Sequence, residues 1–174
     1  VDFGRCSSIL VDFSGFEHIV RAEESLNTFT GLRFGGICEY FAEPTSQAEL
    51  TALVKTCSAQ EIPIRILGGG SNIIVCTDVV PGLVIHLSAA AFCNIEVVGN
   101  KLKAGAGAAL VQLVSTAARE GLEGLEQLAG IPGTVGGAVR TNAGTNSGDI
   151  GQRTTSVTVL TRGGDLETRD REEL

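Results

Sequence analysis

Three consecutive glycines, Gly68, Gly69 and Gly70, interrupt the apolar stretch ILGGGSNIIV at 66–75. No other feature of the chain restricts its fold as much. Glycine packs nothing and loses the most backbone entropy on ordering, so a run of it suits neither a helix interior nor a strand interior. The run therefore ends the strand-like IRIL (64–67) and forces a turn where bare backbone comes close to something else. The N–H groups of such a turn can converge on an anion, above all on phosphate oxygens. Leu67 leads into the loop, and Ser71 and Asn72 add side-chain donors to it. A strained turn between two elements is the alternative, and on this loop alone both readings stand.

A second glycine-rich loop shifts the balance. GIPGTVGG (130–137) arranges Gly130, Ile131, Gly133, Thr134, Gly136 and Gly137 around a bend set by Pro132, and Asn142, Ala143 and Gly144 follow. A third stretch of small residues, AGAGAA (104–109), carries Ala106 and Gly107 into a helix start. Two glycine loops in one small chain can clasp a diphosphate from both sides. The stretch 128–151 shows no sustained period and reads as loop-rich.

Other phosphate and nucleophile motifs fit poorly. Gly105-Ala106-Gly107-Ala108-Ala109-Leu110 approximates GxGxxG, but leucine holds the third glycine place, so a turn into a helix is the better reading than a dinucleotide fingerprint. GxxxxGK[ST] is absent, as are GxSxG and a plausible Ser-His-Asp set.

Periodicity supplies the frame. SQAELTALVKTCSAQ (46–60) predicts a helix, with Ser46 and Glu49 at capping-box spacing and Leu50, Leu53, Val54 and Cys57 on one face. Pro63 bars its continuation. FGGICEYFAEP (34–44), IRIL (64–67) and LVIHL (83–87) read as strands, which gives a βαβ-type unit with at least one parallel pair. NIEVVGNKLKAGAG (94–107) predicts a hairpin turning at Gly99-Asn100, and SVTVLTRGGDLET (156–168) another at Gly163-Gly164. ALVQLVSTAARE (109–120) predicts a second helix with Gly121 at its C-cap. Residues 1–24 read as a lead-in, 25–92 as a first subdomain and 93–174 as a second with a mixed sheet. Asp170 and Glu173 again have capping-box spacing, yet the chain stops at Leu174 and begins at Val1 without a methionine anywhere. The expectation is an excised piece.

Composition excludes several classes. A net charge of −7 argues against nucleic acid as a partner. No apolar run is long enough for a membrane span, and the start has no basic region of the signal-peptide kind. Cys6, Cys38, Cys57, Cys76 and Cys93 are scattered without a CxxC, so no metal site or disulfide framework is expected, and a cytoplasmic chain with reduced thiols is. His86 lies inside LVIHL and reads as a packed or edge histidine. Arg33, Arg65 and Arg140 read as surface or structural residues.

TGLRFGG (30–36), LGGGSNIIV (67–75), AGAGA (104–108), GLEGLEQLAGIPGTVGGAVRTNAG (121–144) and GDIG (148–151), in this order, resemble the UDP-N-acetylenolpyruvoylglucosamine reductase family (MurB). GGGSN alone would indicate only the wider vanillyl-alcohol-oxidase-type FAD-binding superfamily. The resemblance implies an α+β fold in which two α/β subdomains hold FAD non-covalently between them, with the C-terminal substrate domain missing. It implies cofactor contacts from Leu67, Gly68, Gly69, Gly70, Ser71, Asn72, Ala106, Gly107, Gly130, Ile131, Pro132, Gly133, Thr134, Gly136, Gly137, Asn142, Ala143, Gly144 and Ile150. It also implies NADPH as electron donor and a UDP-sugar as substrate, with no protein partner specified. The family's arginine, serine and late glutamate lie beyond Leu174, so no catalytic residue is expected in this chain. Thr145, Asn146 and Ser147 depart from the family's usual pattern. Two other readings stay open: a FAD-linked oxidase or dehydrogenase of the same superfamily, and a non-catalytic flavin-binding module.

Overall fold

Helix α1 (Gln47–Ala59) starts where Ser46 Oγ accepts a hydrogen bond from Glu49 N at 3.2 Å. The reciprocal half of the capping box is displaced. Glu49 reaches past Ser46 and accepts from Thr45 N at 2.7 Å and Thr45 Oγ1 at 2.8 Å. Leu53, Val54 and Cys57 are buried, and Leu50 packs on the same cluster. This apolar stripe lies against a four-stranded sheet in a computed structural model that describes residues 11–173. Residues 1–10, with Cys6 and the first part of the expected lead-in, fall outside the described residues.

The sheet has the order β1 (Val20–Ser25), β2 (Ile37–Ala42), β4 (Val79–His86), β3 (Ile64–Leu67). β2 and β3 both run parallel to β4, and β1 closes the β2 edge antiparallel. The lead-in reading is corrected here, because Val20–Ser25 is a strand. Its sequence VRAEES sits on an exposed edge with no fully buried residue, so it shows no clean alternation to read. Between the parallel strands β3 and β4 the chain must return along the sheet, a task usually given to a helix. Residues 68–78 do it as a loop that opens on the three glycines, which fixes those glycines at the C-terminal edge of the parallel strands.

The second half is built from short pieces: α2 (Ala90–Cys93), β5 (Ile95–Val98), β6 (Lys101–Ala104), α3 (Leu110–Arg119), α4 (Val135–Thr141), β7 (Gly144–Thr145), β8 (Gly148–Asp149), β9 (Ser156–Leu160) and β10 (Leu166–Asp170). Leu110, Leu113, Leu128, Ala138 and Ile150 form its core. Both predicted hairpins are present, β5 with β6 and β9 with β10, and Gly99 has the positive φ of +62° its two-residue turn demands. The described residues carry three separate antiparallel ribbons here where a mixed sheet was expected. Leu160 packs onto the α1 cluster, so the last hairpin leans on the first half of the chain.

Helix α4 corrects the loop-rich reading of 128–151. Two glycines near its start suppress helix propensity and erase any apolar period. What sets it is Thr134, whose Oγ1 accepts from Gly137 N at 3.3 Å, and Asn142, which closes the other end in the left-handed region at φ 47°. Gly136 is needed for contact, since a Cβ there would lie 2.8 Å from Ala106 Cβ.

Candidate functional site: two glycine loops in contact

The two loops singled out by composition touch. Ser71 Oγ donates to Pro132 O at 3.2 Å. A Cβ on Gly69 would lie 2.9 Å from Gly133 Cα, and one on Gly68 would lie 2.7 Å from Thr134 Oγ1. Alanine at either position would push the loops apart, so the glycines allow this approach. Gly70 has φ +64°, and a Cβ there would lie 1.9 Å from Phe29 O.

At this junction backbone donors are left free. Among the described residues no protein group accepts a hydrogen bond from the N–H groups of residues 68–72, nor from those of Gly133 and Thr134. Gly70 is buried and Gly68, Gly133 and Thr134 are half-buried, whereas Gly69, Ser71 and Asn72 are exposed to solvent. Unpaired N–H groups brought together in successive residues are donors of the kind that bind anions. In the rest of the second loop the N–H groups of residues 135–137 are already taken within the protein. Val135 N donates to Ala108 O and Gly136 N to Ala106 O, both at 2.8 Å, and Gly137 N is taken by Thr134. Gly136 packs closely on Ala106, whose carbonyl accepts its N–H, and Gly137 lies against Thr134. Gly107 N is satisfied by Phe92 O at 2.9 Å, while Gly133 O accepts from Leu110 N at 2.9 Å.

Other named residues sit at the far end of α4. Asn142 Oδ1 accepts from Gly151 N at 3.1 Å, Ala143 O accepts from Ile150 N at 2.9 Å, and Gly144 opens the β7–β8 ribbon. Ile150 is 4% exposed and packs with Leu110 and Leu128. Gly130 lies exposed at φ +84°, and Ile131 leans on the second core.

Sequence reasoning missed a polar clasp beside the first loop. Glu43, just past β2, accepts from Ser88 Oγ at 2.7 Å and pairs with His86 Nδ1 at 3.2 Å through one oxygen, and with Arg21 at 2.8 Å through the other. Partial burial pushes its pKa up, but the bonds from Ser88, Arg21 and His86 and the Arg21 charge outweigh this and bring it to about 2. His86 stands opposite Leu67 in register, and its ring packs on Phe29 at 5.4 Å between centroids. The clasp therefore ties the ends of β1, β2 and β4 where the glycine loop departs. Finding it needed β1, which leaves no period in the sequence.

A cavity of about 350 Å³ lies away from both loops, between α2, β5 and the outer face of α3, lined by Cys93, Ile95, Val111, Gln112, Ser115, Thr116 and Arg119. Among the described residues no cluster of His, Cys, Asp or Glu could hold a metal ion, and no helix is long and apolar enough to cross a membrane.

Residues 38–169 match the family described as FAD binding domain. The chain is 41% identical over 155 residues to a UDP-N-acetylenolpyruvoylglucosamine reductase of Lactobacillus acidophilus, covering 89% of this chain and 51% of that protein. It superposes with a TM-score of 0.75 on the crystal structure of the reductase of that name from Thermus caldophilus, at 38% identity over 89% of this chain and 54% of the other. The 6-hydroxy-D-nicotine oxidase of Arthrobacter nicotinovorans has a TM-score of 0.64 at 21% identity over 93% of this chain and 35% of the other, a likeness of fold alone. The chain spans about half the length of the curated relatives it matches. The chain belongs to the FAD binding domain family and, within it, resembles the FAD-binding portion of UDP-N-acetylenolpyruvoylglucosamine reductases.

Proposed function

We propose that this chain holds FAD non-covalently, with the cofactor's diphosphate on the free amides of residues 68–72 and of Gly133 and Thr134. The observation that carries this reading is the junction of two glycine loops whose N–H groups have no protein acceptor among the described residues. The residues fit the group. They offer neutral backbone donors and no carboxylate hydrogen-bonded at the junction, and their side chains are small or absent. Ser71 and Asn72 border the same donors. Asn142, Ala143, Gly144 and Ile150 are proposed as lining farther along the cofactor, beyond α4.

In a protein of the relatives' full length, FAD held here would supply hydride transfer between NADPH and the enolpyruvyl double bond of a UDP-sugar, chemistry of peptidoglycan precursor synthesis in the cytoplasm. This chain's own share is to bind and orient. The relatives' names and the 41% identity over most of the chain support the assignment. The purified chain is expected to show absorption bands near about 370 and about 450 nm, those of oxidised flavin, and to gain thermal stability from added FAD. A colourless protein whose melting temperature ignores FAD would overturn the reading. Steady reduction of the UDP-enolpyruvyl sugar is not expected from these 174 residues alone.

A further inference from the structure

We infer that Arg33 supplies the positive charge that a diphosphate meets at the glycine loops, an assignment that rests on the FAD reading above. Arg33 has φ +55°, a conformation that suits glycine. Its N–H donates to Thr30 O at 3.0 Å, so it occupies the last position of a turn, where glycine is favoured. The other non-glycine residues with positive φ among those described have local reasons. Glu23 falls in the gap of the β1–β2 register, Glu61 follows α1, and Asn142 caps α4. The turn explains the conformation at Arg33 but not the choice of arginine.

The location offers a reason for that choice. Gly31, inside the same turn, donates its N–H to Gly70 O at 2.9 Å, and a Cβ built on it would lie 3.6 Å from Ser71 Cα. The turn is thus fastened to the loop that carries the free amides. Arg33 follows Gly31 by two residues, a span of at most about 7 Å, comparable to the length of its own side chain. Leu32 and Phe34 on either side are 60% and 71% exposed, so this segment does not serve the core. Among the described residues the Arg33 side chain makes no ion pair, as is also true of Arg140 and Arg153, so its charge is not committed within the protein. A chain of net charge −7 repels a dianion at long range. One guanidinium at the junction offsets this locally and can bond phosphate with two parallel N–H groups. A strained backbone at an exposed, unpacked residue is the form a functional compromise takes.

The test sets stability against affinity in one substitution. Arg33→Gly relieves the backbone, so the apo chain should melt at the same or a higher temperature. Its FAD dissociation constant should nonetheless rise about ten-fold at low salt, and the loss should shrink in high salt. Arg33→Lys should stay within about three-fold of the wild type. Arg33→Asp, which tolerates the left-handed region, should lose about a hundred-fold and serves even where the glycine variant folds poorly. FAD affinity within two-fold of wild type in both Arg33→Gly and Arg33→Asp would overturn the assignment and leave the FAD reading intact. A wild-type chain that binds no FAD would overturn both.

Discussion

Gly70 shows how one position couples the fold to the site. Its φ of +64° and the approach of Phe29 O leave no room for a side chain. Gly70→Ala is expected to destabilise the chain by about 1–3 kcal/mol, read as a lowered midpoint in urea or heat. Gly69→Ala acts differently, because its methyl would strike Gly133 across the junction while its backbone is unstrained. FAD affinity should then fall about ten-fold or more, together with some loss of stability, because the methyl meets backbone and not a movable side chain. Glu43 gives a pH test. Its pKa is lowered from 4.5 to about 2 in the folded chain, so its contribution is full above about pH 4.5 and is lost as pH falls toward 2. Glu49, held by Thr45 and His18, is lowered into the same window. Acid unfolding followed by circular dichroism should show Glu43→Gln less stable than wild type at pH 7 and the difference shrinking below pH 4.

Among the elements, those with a strong period were legible and the short ones were not. The apolar stripe of α1 survives in the sequence because it buries one face along its length. The two hairpins are marked by their alternation and by the turn residues Gly99-Asn100 and Gly163-Gly164, although β5 and β10 are largely exposed. β1 was hidden because it pairs as an exposed edge. α4 was hidden because Gly136 and Gly137, placed for contact with Ala106 and Thr134, remove the residues a period is read from. Within the site, the positions of both loops followed from glycine content. The division of labour inside 130–137 did not, since it depends on Ala106 and Ala108 arriving from a distant segment to take the N–H groups of Gly136 and Val135. Thr134 joins cap and junction. Thr134→Val should cost about 1 kcal/mol of stability by removing the acceptor for Gly137 N, and Ser46→Ala a similar amount at α1 without touching FAD affinity. Chemical denaturation of the two variants beside a flavin titration separates these effects.

At the scale of the whole molecule, the chain is a split unit. A sheet of parallel strands ends on one glycine loop, a cluster of short helices and ribbons presents the other, and contact between the loops joins the halves. The central claim is that amide donors at this contact receive a diphosphate. Amide chemical shifts in a two-dimensional nitrogen–proton spectrum, recorded while FAD or ADP is added, test it most directly. The account predicts that both ligands move the N–H signals of residues 68–72, Gly133 and Thr134 most, and leave those of Val135 and Gly136 close to their starting positions. Shifts confined to the α3 groove around Cys93 and Val111, or no shifts at all, would contradict it.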